Sequence, residues 1–166
     1  MKEELFKVLK TMSEATSRMD INMFAKKVNL NPNQTIQRIQ ELATEGFLQK
    51  VGNGFGITER GKVALKVFTP TPEEMAFHFY NGLNQPTDLT ARSIAELYSI
   101  IKKVNVNSLE FHLYRGDFET WLKEACKDPE AAKEIGDIKA TDIKGENLRV
   151  RLLEALDSKY GLQKIL

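Results

Sequence analysis

Asp20-Ile-Asn-Met-Phe-Ala-Lys-Lys-Val28, Asn29-Leu-Asn-Pro32, Asn33-Gln-Thr-Ile-Gln-Arg-Ile-Gln-Glu-Leu-Ala-Thr-Glu-Gly46 and Phe47-Leu-Gln-Lys-Val-Gly-Asn-Gly-Phe-Gly-Ile57 follow one another without interruption and decide the fold of the first part of the chain. The first piece is an amphipathic run, and the second is a short polar break. Asn31 is placed to cap a new helix, with Pro32 at its first position and Gln34 at its third, close to a capping box. Ile36, Ile39, Leu42 and Ala43 then recur at helical spacing, which predicts that they form the buried face. Two short apolar stretches flank Gly52-Asn-Gly54, and a hairpin turn with positive φ at Asn53-Gly54 is expected there. Thr58-Glu-Arg-Gly-Lys-Val-Ala-Leu65 closes the unit as a helix.

Helix, turn, helix, hairpin, helix is the order of a winged helix-turn-helix, which presents one helix for insertion into a DNA groove. Gly52-x-Gly54-x-Gly56 does not suit a phosphate loop, because no helix opens from its last glycine. On the second helix, Asn33, Gln34, Thr35, Gln37, Arg38 and Glu41 are expected to face outward. Asn and Gln can bond bidentately to adenine, and Arg to guanine. The alternative is a merely solvated polar face.

Residues 1–68, and the closing Gly56-Ile-Thr-Glu-Arg-Gly-Lys-Val-Ala-Leu65 above all, resemble winged-helix regulators of the broad MarR/PadR/ArsR type. The resemblance implies base contacts from Asn33, Gln34, Thr35, Gln37 and Arg38, and backbone contacts from Lys50 and Asn53, with double-stranded DNA as partner. Winged helices also dock on proteins, so an adaptor that binds no DNA is the alternative function.

Charge is unevenly divided. Residues 1–68 hold eleven Lys and Arg against seven Asp and Glu, a net +4, while the remainder holds thirteen against sixteen, a net −3. A mildly basic head and an acidic body fit a nucleic-acid-facing first domain. The single cysteine, Cys126, rules out an intrachain disulfide. It is either a thiol at a helix end or a packed small apolar side chain. No secretory signal and no apolar run of membrane-spanning length is visible, so a cytoplasmic protein is expected.

Thr69-Pro-Thr-Pro-Glu-Glu74 reads as an extended linker, giving a first domain at 1–68, a linker at 69–75 and a helical domain at 76–166. The expected fold class is mainly α with a small β-hairpin wing. In the second domain Phe77–Leu83 is of uncertain type, Thr90–Val104 is expected as one helix, and Gly145–Tyr160 as another. The stripe Leu148, Leu152, Leu156 and Tyr160 is a candidate homodimer seam or an internal packing face. Residues 76–160 resemble an uncharacterised prokaryotic domain, which implies a shared fold and no activity; the domain is a candidate for dimerisation, sensing or contact with a protein partner.

Both histidines lie in a Phe-His-x-Tyr setting, Phe77-His-Phe-Tyr80 and Phe111-His-Leu-Tyr114. His78 and His112 could converge on a ligand, with Asp117 or Glu119, or each could be packed beside aromatic core. No spacing of metal ligands and no nucleophile motif is present, so neither cofactor, metal nor catalysis is expected.

Overall fold

The computed structural model describes residues 1–166, which form two compact units, Met1–Lys66 and Val67–Leu166. The chain is mainly helical, with two antiparallel two-stranded hairpins.

The first unit opens with helix α1 (Glu3–Glu14), followed by α2 (Ile21–Val28) and α3 (Pro32–Thr44). Asp20 starts α2 by accepting from the backbone N–H groups of Asn22 and Met23. The helix stops where Asn29 turns left-handed (φ 59°), with the Asn29 N–H bonded to the Lys26 carbonyl and the Leu30 N–H to the Ala25 carbonyl. That pair of bonds is the Schellman arrangement, and Asn tolerates the left-handed position better than most residues. The capping box of α3 is complete: Asn31 Oδ1 accepts from the Gln34 N–H at 2.8 Å, and Gln34 Oε1 accepts from the Asn31 N–H at 3.2 Å. α3 ends in a second Schellman arrangement at Gly46, whose φ is +80°.

Strands β1 (Leu48–Val51) and β2 (Gly54–Ile57) pair with Leu48 opposite Ile57 and Val51 opposite Gly54. The turn is therefore Gly52-Asn53, and the positive φ (+58°) falls on Gly52 rather than on Asn53-Gly54 as expected. Glycine at the first turn position supplies a backbone twist that suits the strands.

Helix α4 (Glu59–Phe68) is fixed to the hairpin by Thr58. The Thr58 N–H donates to the Phe47 carbonyl, its hydroxyl donates to the Gly46 carbonyl at 2.6 Å, and the same hydroxyl accepts from the Gly61 N–H at 3.0 Å. A side chain at Gly61 would overlap the Phe47 carbonyl, so the Thr-x-x-Gly spacing reflects a close backbone approach. Leu5, Val8 and Leu9 of α1, Phe24 and Val28 of α2, Leu42 of α3, and Phe47 and Leu48 are buried.

The second unit is not purely helical. It contains strands β3 (Phe77–Tyr80) and β4 (Pro86–Ala91), then α5 (Ile94–Ile101), α6 (Val106–Arg115), α7 (Asp117–Glu124), α8 (Pro129–Asp137), α9 (Gly145–Tyr160) and the short α10 (Leu162–Ile165). Phe77 pairs with Ala91 and His78 with Thr90, so the helix expected over Thr90–Val104 begins only at Ile94. Ser93 marks that boundary by accepting from the Glu96 N–H. Phe77 and Phe79 point inward and His78 and Tyr80 outward, the alternation of a half-buried strand. Pro86 opens β4, a position where its missing N–H is tolerated.

The segment 69–75, expected as an extended linker, is built into this unit. Thr71 is buried and its N–H donates to the Arg92 carbonyl, while the Met75 carbonyl accepts from Trp121 Nε1 at 2.7 Å. Leu148, Leu152, Leu156 and Tyr160 are buried within their own unit, where α9 packs on α5, α6 and α8. That stripe is consequently an internal packing face and leaves no dimer seam there. No helix is long and apolar enough to cross a membrane.

Candidate functional site

Helix α3 packs on α1, α2 and β1, and this packing decides which of its side chains remain available. Asn33, Gln37, Gln40 and Thr44 are exposed and lie at intervals of four, three and four, one stripe along the helix. Thr35 and Leu42 are buried on the opposite side.

This geometry corrects the expected roles of Thr35, Arg38 and Gln34, and the expected burial of Ile36. Thr35 is 0% exposed and donates its hydroxyl to the Asn31 carbonyl, which satisfies the polar group and lets its methyl join the core. Ile36, expected inside, is 41% exposed beside the outer stripe. Arg38 is turned toward α1: its Nε donates to Glu4 at 2.8 Å and its Nη1 to Glu41 at 3.2 Å. A guanidinium held by two carboxylates is not free to fork onto a base. Gln34 is exposed, but its side-chain oxygen is committed to the capping box. Asn33 and Gln37 keep the expected outward placement, and Gln40 and Thr44 join them. The signal for those two is their spacing from Asn33, which a buried face placed one residue out of phase obscures.

On the hairpin, Lys50 and Asn53 are both exposed, Asn53 at the turn. Arg18, in the segment between α1 and α2, reaches toward this tip: a Cβ placed on Gly54 would lie 3.9 Å from Arg18 Nη2. The chain separation of Arg18 from the hairpin hides that proximity in the sequence.

The two histidines line one groove of about 590 Å³ in the second unit, together with Tyr80, Phe111, Arg115, Asp117 and Trp121. Their roles differ. His112 is 3% exposed and both of its ring nitrogens are engaged: Nδ1 lies 2.8 Å from Asp117 Oδ2, and Nε2 accepts the Tyr80 backbone N–H at 2.8 Å. An acceptor at Nε2 fixes the proton on Nδ1, where it is donated to Asp117. Burial pushes the imidazole pKa down, and the Asp117 carboxylate only partly offsets it. Phe77 and Phe111 approach the ring edge-on with centroids 4.8 and 5.1 Å away.

The Asp117–His112 pair has the form of a base and its orienting acid, yet the lone pair a general base would use is occupied by Tyr80. His112 therefore holds the outer edge of β3, in the way a neighbouring strand would. His78 lies on the exposed face of β3, with Nδ1 3.1 Å from Thr90 Oγ1 on the paired strand. Glu119 belongs elsewhere: it pairs with Lys139 and packs on Gly136. No group of three or more His, Cys, Asp or Glu side chains is arranged to hold a metal ion.

A family model, described as a family of unknown function (DUF5752), matches residues 59–157, more than half of the chain. The match runs from the start of α4 into α9 and leaves α1 to β2 outside it. No curated protein and no solved structure matches the chain.

Proposed function

The chain belongs to the DUF5752 family of unknown function, and we propose that its N-terminal unit is a winged helix that docks on double-stranded DNA, making the protein a DNA-binding regulator. The observation that carries this reading is the outward stripe of α3. Asn33, Gln37, Gln40 and Thr44 are uncovered, unpaired with carboxylates, and carried on a helix whose other side is anchored in the core. A helix of this kind fits the major groove, which is about 12 Å wide. Asn33 and the two glutamines present amide groups that can bond N6 and N7 of adenine together on its major-groove edge.

Lys50 and Asn53 on the hairpin supply the backbone contacts in this proposal, and Lys26 and Lys27 at the end of α2 add positive charge. The second unit supplies dimerisation, sensing or a partner surface. In a dimer, two copies of α3 would address half-sites about 34 Å apart, one turn of the duplex.

The test is equilibrium binding of the full chain to duplex DNA over a range of salt concentrations. About five phosphate contacts give a log–log slope near −4.5. No binding at low salt overturns the DNA reading. It would leave the protein-adaptor reading, which the exposure of Ile36 and Met23 favours.

A further inference from the structure

We propose that the N-terminal unit carries a binding groove for an amphipathic carboxylate, a small molecule with an apolar body and one acid group. The inference does not rest on the DNA reading.

The groove lies between the β1–β2 hairpin and the chain from the end of α1 into α2, and its volume is about 650 Å³. Pockets for small organic ligands fall in this range. Met12, Met19, Ile21, Phe24, Ile39 and Val51 line it. Two of these are thioethers, which adapt to the shape of an apolar guest. No Asp or Glu lines the groove, and Arg18 is its one charged residue.

The hairpin keeps the groove open. Val51 stands opposite Gly54, and Gln49 opposite Gly56, so these four residues share one face of the ribbon. Two of them have no side chain. The Arg18 guanidinium hangs over this bare part of the ribbon, near Gly54. Val51 is 58% exposed, so an apolar wall and a cation without a lining carboxylate are offered together. The planar fork of arginine matches a carboxylate through two parallel hydrogen bonds. The wall excludes water from the body of the guest, and Arg18 fixes its acid end.

The full chain labelled at its methionine methyl groups, titrated separately with decanoate and with decanol, tests the site by NMR. Decanoate is expected to shift the Met12 and Met19 signals saturably and to leave Met75, in the other unit, unmoved. Arg18→Gln is expected to weaken decanoate about tenfold while leaving decanol unchanged. Gly54→Leu, which fills the ribbon face, is expected to block both probes; far-UV circular dichroism checks that each variant is folded. The proposal is overturned if Met12 and Met19 do not move, if Met75 moves with them, if acid and alcohol bind equally, or if Arg18→Gln retains the preference for the acid. Shifts that follow protein concentration without any probe would assign the groove to self-association and overturn it as well.

Discussion

The backbone N–H of Tyr80 donates to Nε2 of His112 across 2.8 Å, so an imidazole closes the edge of strand β3. The bond exists only while His112 is neutral, since a protonated ring has no acceptor.

The sign of the pH dependence follows from burial, the largest cause of the shift, which holds the folded-state pKa of His112 below its unfolded value near 6.5. Between the two values the unfolded chain binds the extra proton. The His112 contribution is therefore present above about pH 6.5 and is lost as pH falls toward the folded pKa. The difference in urea midpoint between the wild type and His112→Gln should shrink on going from neutral to mildly acidic buffer. A difference that grows with acidity would contradict this account.

Gly61→Ala offers a sharper test of the Thr58 junction. Within a helix, Gly to Ala ordinarily stabilises by about 1 kcal/mol. Here the new methyl meets the Phe47 carbonyl, so a loss of about 1–3 kcal/mol is expected instead. Thr58→Val, which removes the cap and the bond to Gly46, should cost about 1–2 kcal/mol. Chemical denaturation measures both, and an Ala variant more stable than wild type would reject the contact.

Changes on α3 should separate according to the face they occupy. Gln37→Ala and Gln40→Ala are expected to reduce discrimination between DNA sequences by about 1–3 kcal/mol each where they bond a base. Lys50→Ala should weaken all sequences alike and lower the salt slope by about 0.9. Thr35→Ala should act on stability alone, because that side chain is enclosed. Binding titrations on a matched pair of duplexes distinguish these outcomes.

Tyr160 and Asp128 form a buried pair, with the phenol donating to the carboxylate at 2.6 Å. Burial, together with that bond, pushes the Tyr160 pKa far above its ordinary value. Tyr160 should remain un-ionised at about pH 10, where an exposed tyrosine titrates, as read from phenolate absorbance against Tyr160→Phe. The same variant leaves one Asp128 oxygen without its phenol partner and should cost about 1–3 kcal/mol.

The boundaries of α2 and α3 are legible because their causes are local. Asp20 reaches two and three residues ahead, and Asn31 and Gln34 exchange bonds across three. Such signals survive in any tertiary setting. The span of α9 is readable for a similar reason, since its apolar residues recur along one face.

The candidate site is less legible. Turning α3 by one residue moves each side chain about 100° around the axis, enough to exchange the places of Thr35 and Ile36. A self-bonded threonine can be buried at little cost in hydrogen bonds, and composition alone does not disclose that bond. Arg38 reads as available because Glu4, the carboxylate that accepts from its Nε, lies 34 residues away.

Neighbouring residues alone settle where α2 and α3 begin and end, and that a hairpin follows α3, because caps and turn glycines act over a few positions. Only the folded chain selects which face of α3 is exposed, that β3 and β4 pair, and that His112 serves Tyr80 from 32 residues away. Those outcomes depend on packing and hydrogen bonds between distant segments. The Tyr80 N–H, for one, finds its acceptor only when α6 packs on β3.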